Sequence, residues 1–169
     1  MLGGEGDDII SAGNNDDQVW GGEGVDDVGG GDGDDIVVGG ELQSGAGLYP
    51  FVDDTRGDTV YGGEGQDTLY FGRGDLAIGA EDADTFIVSD EGTEGAEPTR
   101  IFDFNFDEGD RLEIFYDPAK YVGMPEVTFT TTGLASTIEV LLDGNPVVFL
   151  DKNGENVGGP ADVQLNAVS

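Results

Sequence analysis

A nine-residue period runs through the first half of the chain and leaves it few ways to fold. Gly3-Gly4-Glu5-Gly6-Asp7-Asp8-Ile9-Ile10-Ser11 is followed in phase by units opening at Ala12, Gly21 and Gly30. A fifth unit opens at Gly39-Gly40-Glu41, is interrupted over residues 42–55, and resumes at Asp58-Thr59-Val60-Tyr61. A complete copy spans 62–70, a copy one residue short spans 71–78, and a last copy spans 79–87. The sixth place holds Asp8, Asp17, Asp26, Asp35, Asp58, Asp67 and Asp84; the eighth holds Ile10, Val19, Val28, Val37, Val60, Leu69 and Phe86. Glycine at the first, second and fourth places permits positive φ, so six residues reverse the chain tightly with carbonyls turned inward. The next three residues form a short strand whose central side chain points into a thin interior. Units of fixed period stack on one another as a solenoid.

Such a stack does not stand on its own. Each unit buries one aliphatic side chain, which does not offset the ordering of nine residues. The stacked carboxylates also repel, in a chain with 37 Asp and Glu against six Lys and Arg and a net charge of −31. Divalent cations held between Asp side chains and inward carbonyls would supply what is missing. Oxygen ligands without nitrogen or sulfur point to calcium or magnesium, and flexible carbonyl-rich loops favour calcium. The chain has no Cys and no His, which excludes disulfides, thiolate metal sites and His-dependent catalytic triads. Scattered cations exclude ordinary nucleic-acid binding. No apolar run is long enough to span a membrane, and the opening Met-Leu-Gly-Gly-Glu lacks the parts of a secretory signal peptide.

The nonapeptide Gly-Gly-x-Gly-x-Asp-x-aliphatic-x resembles the repeat of the RTX (hemolysin-type calcium-binding) proteins, over residues 3–87 in six good copies and two damaged ones. The resemblance implies a parallel β-roll in which units alternate between two sheets and loops two units apart stack with calcium between them. It implies ligands from the second- and fourth-place carbonyls and the Asp of one loop, with first- and third-place carbonyls and the Asp of its partner. One site is then Gly4, Gly6, Asp8, Gly21, Glu23 and Asp26, and the site opposite is Gly13, Asn15, Asp17, Gly30, Asp32 and Asp35. A third is Gly31, Gly33, Asp35, Gly62, Glu64 and Asp67; a fourth is Gly63, Gly65, Asp67, Gly79, Glu81 and Asp84. The interrupted edge offers Gly22, Gly24, Asp26, Gly39, Glu41 and Asp58. Phe71, Arg73 and the missing residue weaken any site between Asp58 and Asp75. The resemblance further implies type I secretion and a secreted, extracellular protein that folds there on several calcium ions. It leaves two other roles open: an adhesive or carbohydrate-binding module, or an auxiliary domain of a larger secreted hydrolase or epimerase.

Two features lie outside the repeat. The insertion 42–55 contains Leu48-Tyr49-Pro50-Phe51-Val52, an apolar knot that either packs against the roll or binds a partner. The ninth-place residues of one sheet, Trp20, Val38, Tyr70 and Ile87, flanked by Ile36, are expected to face outward as an exposed stripe. The insertion, the second half or a second copy of the chain would cover it. Trp20, Tyr49, Phe51 and Tyr70 are therefore the candidate partner-contacting residues, for a homo-oligomer or a surface polysaccharide.

Of the 31 glycines, 22 precede residue 80, so the second half is a different kind of sequence. After an acidic connector at 88–98, apolar runs predict strands near 99–106, 111–116, 126–132, 136–142, 146–151 and 162–168, with Asp143-Gly144-Asn145 as a hairpin turn. Ile101-Phe102-Asp103-Phe104 and Gly109-Asp110-Arg111-Leu112-Glu113-Ile114 resemble the cap that ends many RTX rolls, and a solenoid needs one to cover its last coil. The expected fold is all-β: a parallel β-roll over 1–87 followed by a mostly antiparallel β-rich cap over 88–169. Asp103, Asp107, Glu108 and Asp110 form either a further calcium site or a solvated turn. No catalytic constellation emerges. With so many carboxylates some pair reaches glycosidase separation by chance, and calcium-ligating carboxylates stay ionised and serve poorly as proton donors. No enzymatic activity is expected.

Overall fold

The computed structural model describes residues 1–42, 51–52, 56–90, 97–131, 137–151 and 157–168. In chain order its strands are β1 (Leu2–Glu5), β2 (Ile9–Asn14), β3 (Gln18–Glu23), β4 (Asp27–Asp32), β5 (Ile36–Val38), β6 (Glu41–Leu42), β7 (Phe51–Val52), β8 (Thr59–Glu64) and β9 (Thr68–Phe71). They continue as β10 (Leu76–Glu81), β11 (Thr85–Ser89), β12 (Thr99–Ile101), β13 (Arg111–Tyr116), β14 (Val127–Thr131), β15 (Thr137–Leu142), β16 (Asn145–Asp151) and β17 (Val163–Ala167). Among the described residues there is no α-helix, and none long and apolar enough to cross a membrane.

Successive units alternate between two sheets. One runs β1-β3-β5-β9-β11-β13-β17, the other β14-β15-β16-β12-β10-β8-β4-β2. Within the roll every ladder of these two sheets is parallel, and the eighth-place residues line up in two columns. Val19 pairs with Val37, Val37 with Leu69 and Leu69 with Phe86; opposite them, Ile10 pairs with Val28, Val28 with Val60 and Val60 with Ala77. Apart from Ile10 at the first coil, these side chains are fully buried. The coil step is 18 residues, stretches to 32 across the insertion, and shrinks to 17 at the short unit. The pairing stays in phase through both irregularities because a one-residue slip would turn each core side chain to the solvent face.

The strands are longer than the three residues expected. Five of those in the repeat region, β2, β3, β4, β8 and β10, have six, because each of these runs on through the first three places of the following unit. The second-place glycine makes this continuation, pairing with its equivalent one coil away as Gly4 does with Gly22 and Gly31 with Gly63. The interior also thickens along the roll. Valine gives way to Leu69, Phe71 and Phe86, and Phe86 packs against Phe71 and Phe104 at centroid distances of 6.3 and 5.7 Å.

Both sheets run on past residue 88. Val88 of β11 pairs with Ile114 of β13, β17 adds in parallel to β13, and β12 and β16 extend the other sheet in parallel. Pairing turns antiparallel at β16–β15–β14. The β15–β16 hairpin turns at Asp143 (φ 49°) and Gly144 (φ 83°), both left-handed as a two-residue hairpin loop requires. The strand predicted near 99–106 stops at Ile101 and is followed by turns. A buried polar knot ties the short unit to this region: the Asp90 carboxylate pairs with Arg73 at 2.8 Å and accepts from the Tyr121 hydroxyl, and its carbonyl accepts from Lys120 Nζ at 2.6 Å.

The expected exposed stripe is not exposed. Val38 is fully buried and Ile87 nearly so, with Trp20, Ile36, Tyr70 and Phe115 partly buried around them as a second apolar cluster on the outer side of the sheet. The physical reason is burial of large apolar side chains that water would otherwise meet. β6 and β7 pair antiparallel, and β6 lies against β3, which carries Trp20. The rest of the insertion, including Tyr49, and the Phe51 side chain lie outside the described residues.

Candidate metal-binding loops

The loops stack edge on edge, and Asp backbone and side chain together make the contact. Along one edge the amide of Asp8 donates to Asp26 Oδ1 at 2.8 Å, Asp26 to Asp58 at 2.8 Å and Asp58 to Asp75 at 2.9 Å. Along the other, Asp17 donates to Asp35 at 2.7 Å, Asp35 to Asp67 at 2.8 Å, Asp67 to Asp84 at 2.9 Å and Asp84 to Asp110 at 2.9 Å. The structure thus brings together the loop pairs expected from the sequence: 4–8 with 21–26, 13–17 with 30–35, 31–35 with 62–67, and 63–67 with 79–84. Fifth-place carboxylates add a reverse tie, with Asp7 accepting from Val25 N at 3.0 Å, Asp16 from Asp34 N at 3.1 Å and Asp34 from Gln66 N at 2.9 Å.

Glycine serves two different ends in these loops. Second- and fourth-place glycines have φ between 100° and 152°, as in Gly4, Gly6, Gly22, Gly24, Gly31, Gly33, Gly63 and Gly65. First-place glycines are not left-handed, contrary to expectation; they are needed for space. A Cβ on Gly30 would overlap Oδ2 of Asp35, and one on Gly62 would overlap Oδ2 of Asp67 while lying 2.7 Å from the carbonyl oxygen of Gly79. On Gly3 it would lie 2.6 Å from Asp8 Oδ2 and 2.5 Å from the Gly21 carbonyl oxygen. A carboxylate oxygen and the first-place carbonyl of the next coil therefore converge on the same small space above the glycine.

Oδ2 of Asp35 and of Asp67 is buried with no hydrogen-bond partner, while Oδ1 of each takes an amide. An ionised carboxylate only accepts, and an uncompensated buried charge costs several kcal/mol. A hard cation is the group that fits between such oxygens. Among the described residues no three carboxylates converge, so the ligand set has to be rich in carbonyls. Third-place carbonyls are already half engaged: Glu23 O accepts from Gly6 N at 2.6 Å, Asp32 O from Asn15 N at 2.6 Å and Glu64 O from Gly33 N at 2.8 Å. Each keeps a second lone pair.

Other rungs are finished by the chain itself. Asp75 takes the Asp58 amide on Oδ1 and the Gly72 amide on Oδ2 at 2.7 Å. Asp110 takes Asp84 N on Oδ1 and Asn105 N on Oδ2 at 2.7 Å. Asp103 clamps the amides of Gly79 and Ala80 at 3.1 and 2.8 Å, and Asp107 and Glu108 are exposed. The turn at 103–110 is thus a further rung of the Asp ladder. Its signal was present in the sequence: Gly109-Asp110-Arg111-Leu112 repeats the fifth to eighth places without the flanking glycines.

Four copies of the RTX calcium-binding nonapeptide repeat match the chain, over residues 2–37, 30–41 and 53–75. No curated protein matches it. The matched residues are the stacked loops, and RTX nonapeptide repeats bind calcium. The unit at 79–87 lies beyond the match, and there Ala80 (φ 82°) and Asp82 (φ 75°) occupy left-handed places that glycine fills in the other units, Asn15 (φ 83°) excepted.

Substitutions at these places have opposite expected signs. Ala80→Gly relieves a left-handed alanine and should stabilise the loaded protein by about 1 kcal/mol. Gly31→Ala forces a left-handed alanine onto the Gly13 carbonyl and should lose at least that much. Thermal unfolding in saturating calcium measures both. Burial raises the carboxyl of Asp67 to about 6 and that of Asp84 to about 8, the latter helped by Asp110, Asp67 and Asp103; it raises Asp110 to about 6 and Asp35 in the same direction. Raised carboxyls favour the fold when protonated, so the calcium-free chain should lose β-structure as pH rises through about 6 to 8. Calcium removes that dependence. Far-UV circular dichroism in chelator against pH reads it directly.

Proposed function

We propose that this RTX-type repeat protein is a calcium-driven folding module that acts outside the cell and carries out no reaction of its own. The observation that supports it is the pair of buried, donor-free carboxylate oxygens of Asp35 and Asp67. Gly31, Gly33, Asp35, Gly62, Glu64 and Asp67 would hold one ion, with equivalent sets on the 4–26, 13–35 and 63–84 loop pairs and at the interrupted edge. Asp75, whose two oxygens are taken by amides, contributes to packing. The stack forms as the cations bind, because binding free energy becomes folding free energy. At cytosolic calcium, far below the roughly 10⁻⁴–10⁻³ M at which extracellular modules bind, the repeats stay unfolded. That state suits export by a type I route, and extracellular calcium then folds the chain on arrival. Residues 88–169 form the cap that ends the roll.

Calcium titration followed by far-UV circular dichroism, with magnesium as control, tests this reading. The expected result is a cooperative gain of β-structure in calcium and little in magnesium. Asp35→Asn and Asp67→Asn should each move the calcium midpoint upward by tenfold or more, about 1.4 kcal/mol. A chain equally folded in chelator, or an unmoved midpoint in both variants, contradicts it.

A further inference from the structure

The two ends of the roll are unlike. At the far end Asp110 accepts the Asp84 amide, and strands beyond residue 88 carry both sheets on. At the near end β1 and β2 are the outermost strands of their sheets, each with one strand neighbour. Leu2 pairs with Trp20, which puts Met1 beside Val19 in the core row, and Met1 and Leu2 are 55% and 68% exposed. On the other sheet Ile9 is 88% exposed, and Ile10, the first of its core column, is only partly buried. Apolar side chains of both sheets thus meet water at one end, beside two unpaired strand edges.

The loops at this end hold one half of a coil-to-coil contact. Inside the roll the earlier coil gives a sixth-place amide and the later coil accepts it on its carboxylate, as Asp26 does from Asp8 and Asp35 from Asp17. Among the described residues nothing donates to the carboxylates of Asp8 and Asp17, so each ladder starts with its accepting half unused. The second-place glycines show the same asymmetry. A Cβ on Gly22 or Gly31 would overlap the carbonyl oxygen of Gly4 or Gly13 in the coil before, whereas one on Gly4 or Gly13 would meet nothing within 4 Å.

We propose that this end docks a coil of the same glycine-rich, aspartate-bearing nonapeptide class, carried by another polypeptide and laid parallel to β2. The polarity of the ladder selects it. Such a coil presents two sixth-place amides at the spacing of Asp8 and Asp17 and an aliphatic side chain beside Ile10, and so continues contacts that the roll already repeats. Two copies of this chain meeting by this face would set accepting carboxylates against accepting carboxylates. A copy arriving by its far end would bring an Asp84 amide already given to Asp110, with β14 and β17 outermost in its sheets. The docking rests on the calcium-driven reading, because the loops of the added coil stack as those inside the roll do.

A synthetic peptide with the sequence of residues 21–35, which is one loop, strand and loop of the repeat, is the probe. Fluorescence anisotropy of the labelled peptide against the calcium-loaded full chain should show saturable binding that chelator abolishes. N-methylation of the peptide at Asp26 and Asp35 removes both sixth-place N–H groups and should weaken binding by about tenfold or more. A scrambled peptide should not bind. Hydrogen exchange should show new protection in β2, over Ile9–Asn14, and none in β17. The far-UV spectrum of the chain before peptide is added separates the two readings. A chain unfolded in calcium overturns both, whereas a folded chain that ignores the peptide overturns the docking alone. Equal binding of the scrambled or methylated peptide, or protection confined to β17, also overturns the docking. A calcium-dependent dimer in sedimentation velocity that Ile9→Lys splits into monomers would assign the end to a second copy instead.

Discussion

Everything in the repeat region depends on what becomes of the second oxygen of each stacked aspartate. The first is spent on the amide of the preceding coil, a tie that repeats along both edges of the roll. In Asp35 and Asp67 the second points back over the first-place glycine of its own loop and meets no donor, and at Asp67 a carbonyl oxygen of the next coil shares that space. Two acceptors facing each other out of water are tolerable only with a cation between them or a proton on the carboxyl. This one arrangement accounts for the glycines that leave room at the first place and the acidity of the chain, and it fits the calcium that RTX nonapeptide repeats bind.

On the proposed reading, the need for cations is graded along the molecule. In the early coils the interior is two thin columns, valines and Ile10, and the loops carry the burden. At Asp75 and Asp110 backbone amides take both carboxylate oxygens, and there the core has grown to include Phe71, Phe86, Phe104 and Ile114. Beyond that point the sheets gain Ile101, Leu112, Val140 and Leu150 and rest on ordinary apolar burial. On that reading the roll begins ion-dependent and ends on apolar packing, which gives it a foothold at its C-terminal end.

Much of this was legible because the repeat is a local pattern with a fixed period. The core residues other than Ala77 and the 32-residue step follow from counting sixth- and eighth-place residues across the insertion, while the two columns and the stacking partners are what the RTX resemblance implied. The Asp143-Gly144 turn was equally plain, since only left-handed residues close so short a hairpin. Other features needed three dimensions. The first-place glycines seemed conformational, yet the crowding that requires them comes from an aspartate five residues on and a carbonyl a coil away. The Trp20 stripe looked exposed because alternation gives the direction of a side chain and not what lies over it. The Asp90 knot joins residues from three separate segments, which no short-range pattern connects. The family match ends at residue 75, where left-handed Ala80 and Asp82 and the glycine-poor rung at Asp110 blur the motif that the fold still obeys.

The most direct test is crystallographic: anomalous diffraction from the calcium-loaded chain, collected where calcium scatters anomalously. The account predicts peaks between the Asp35 and Asp67 loops and between the Asp67 and Asp84 loops, in contact with Asp Oδ2 and first-place carbonyls. Ordered loops with water or nothing beside Asp35 Oδ2 and Asp67 Oδ2, at saturating calcium, would contradict it.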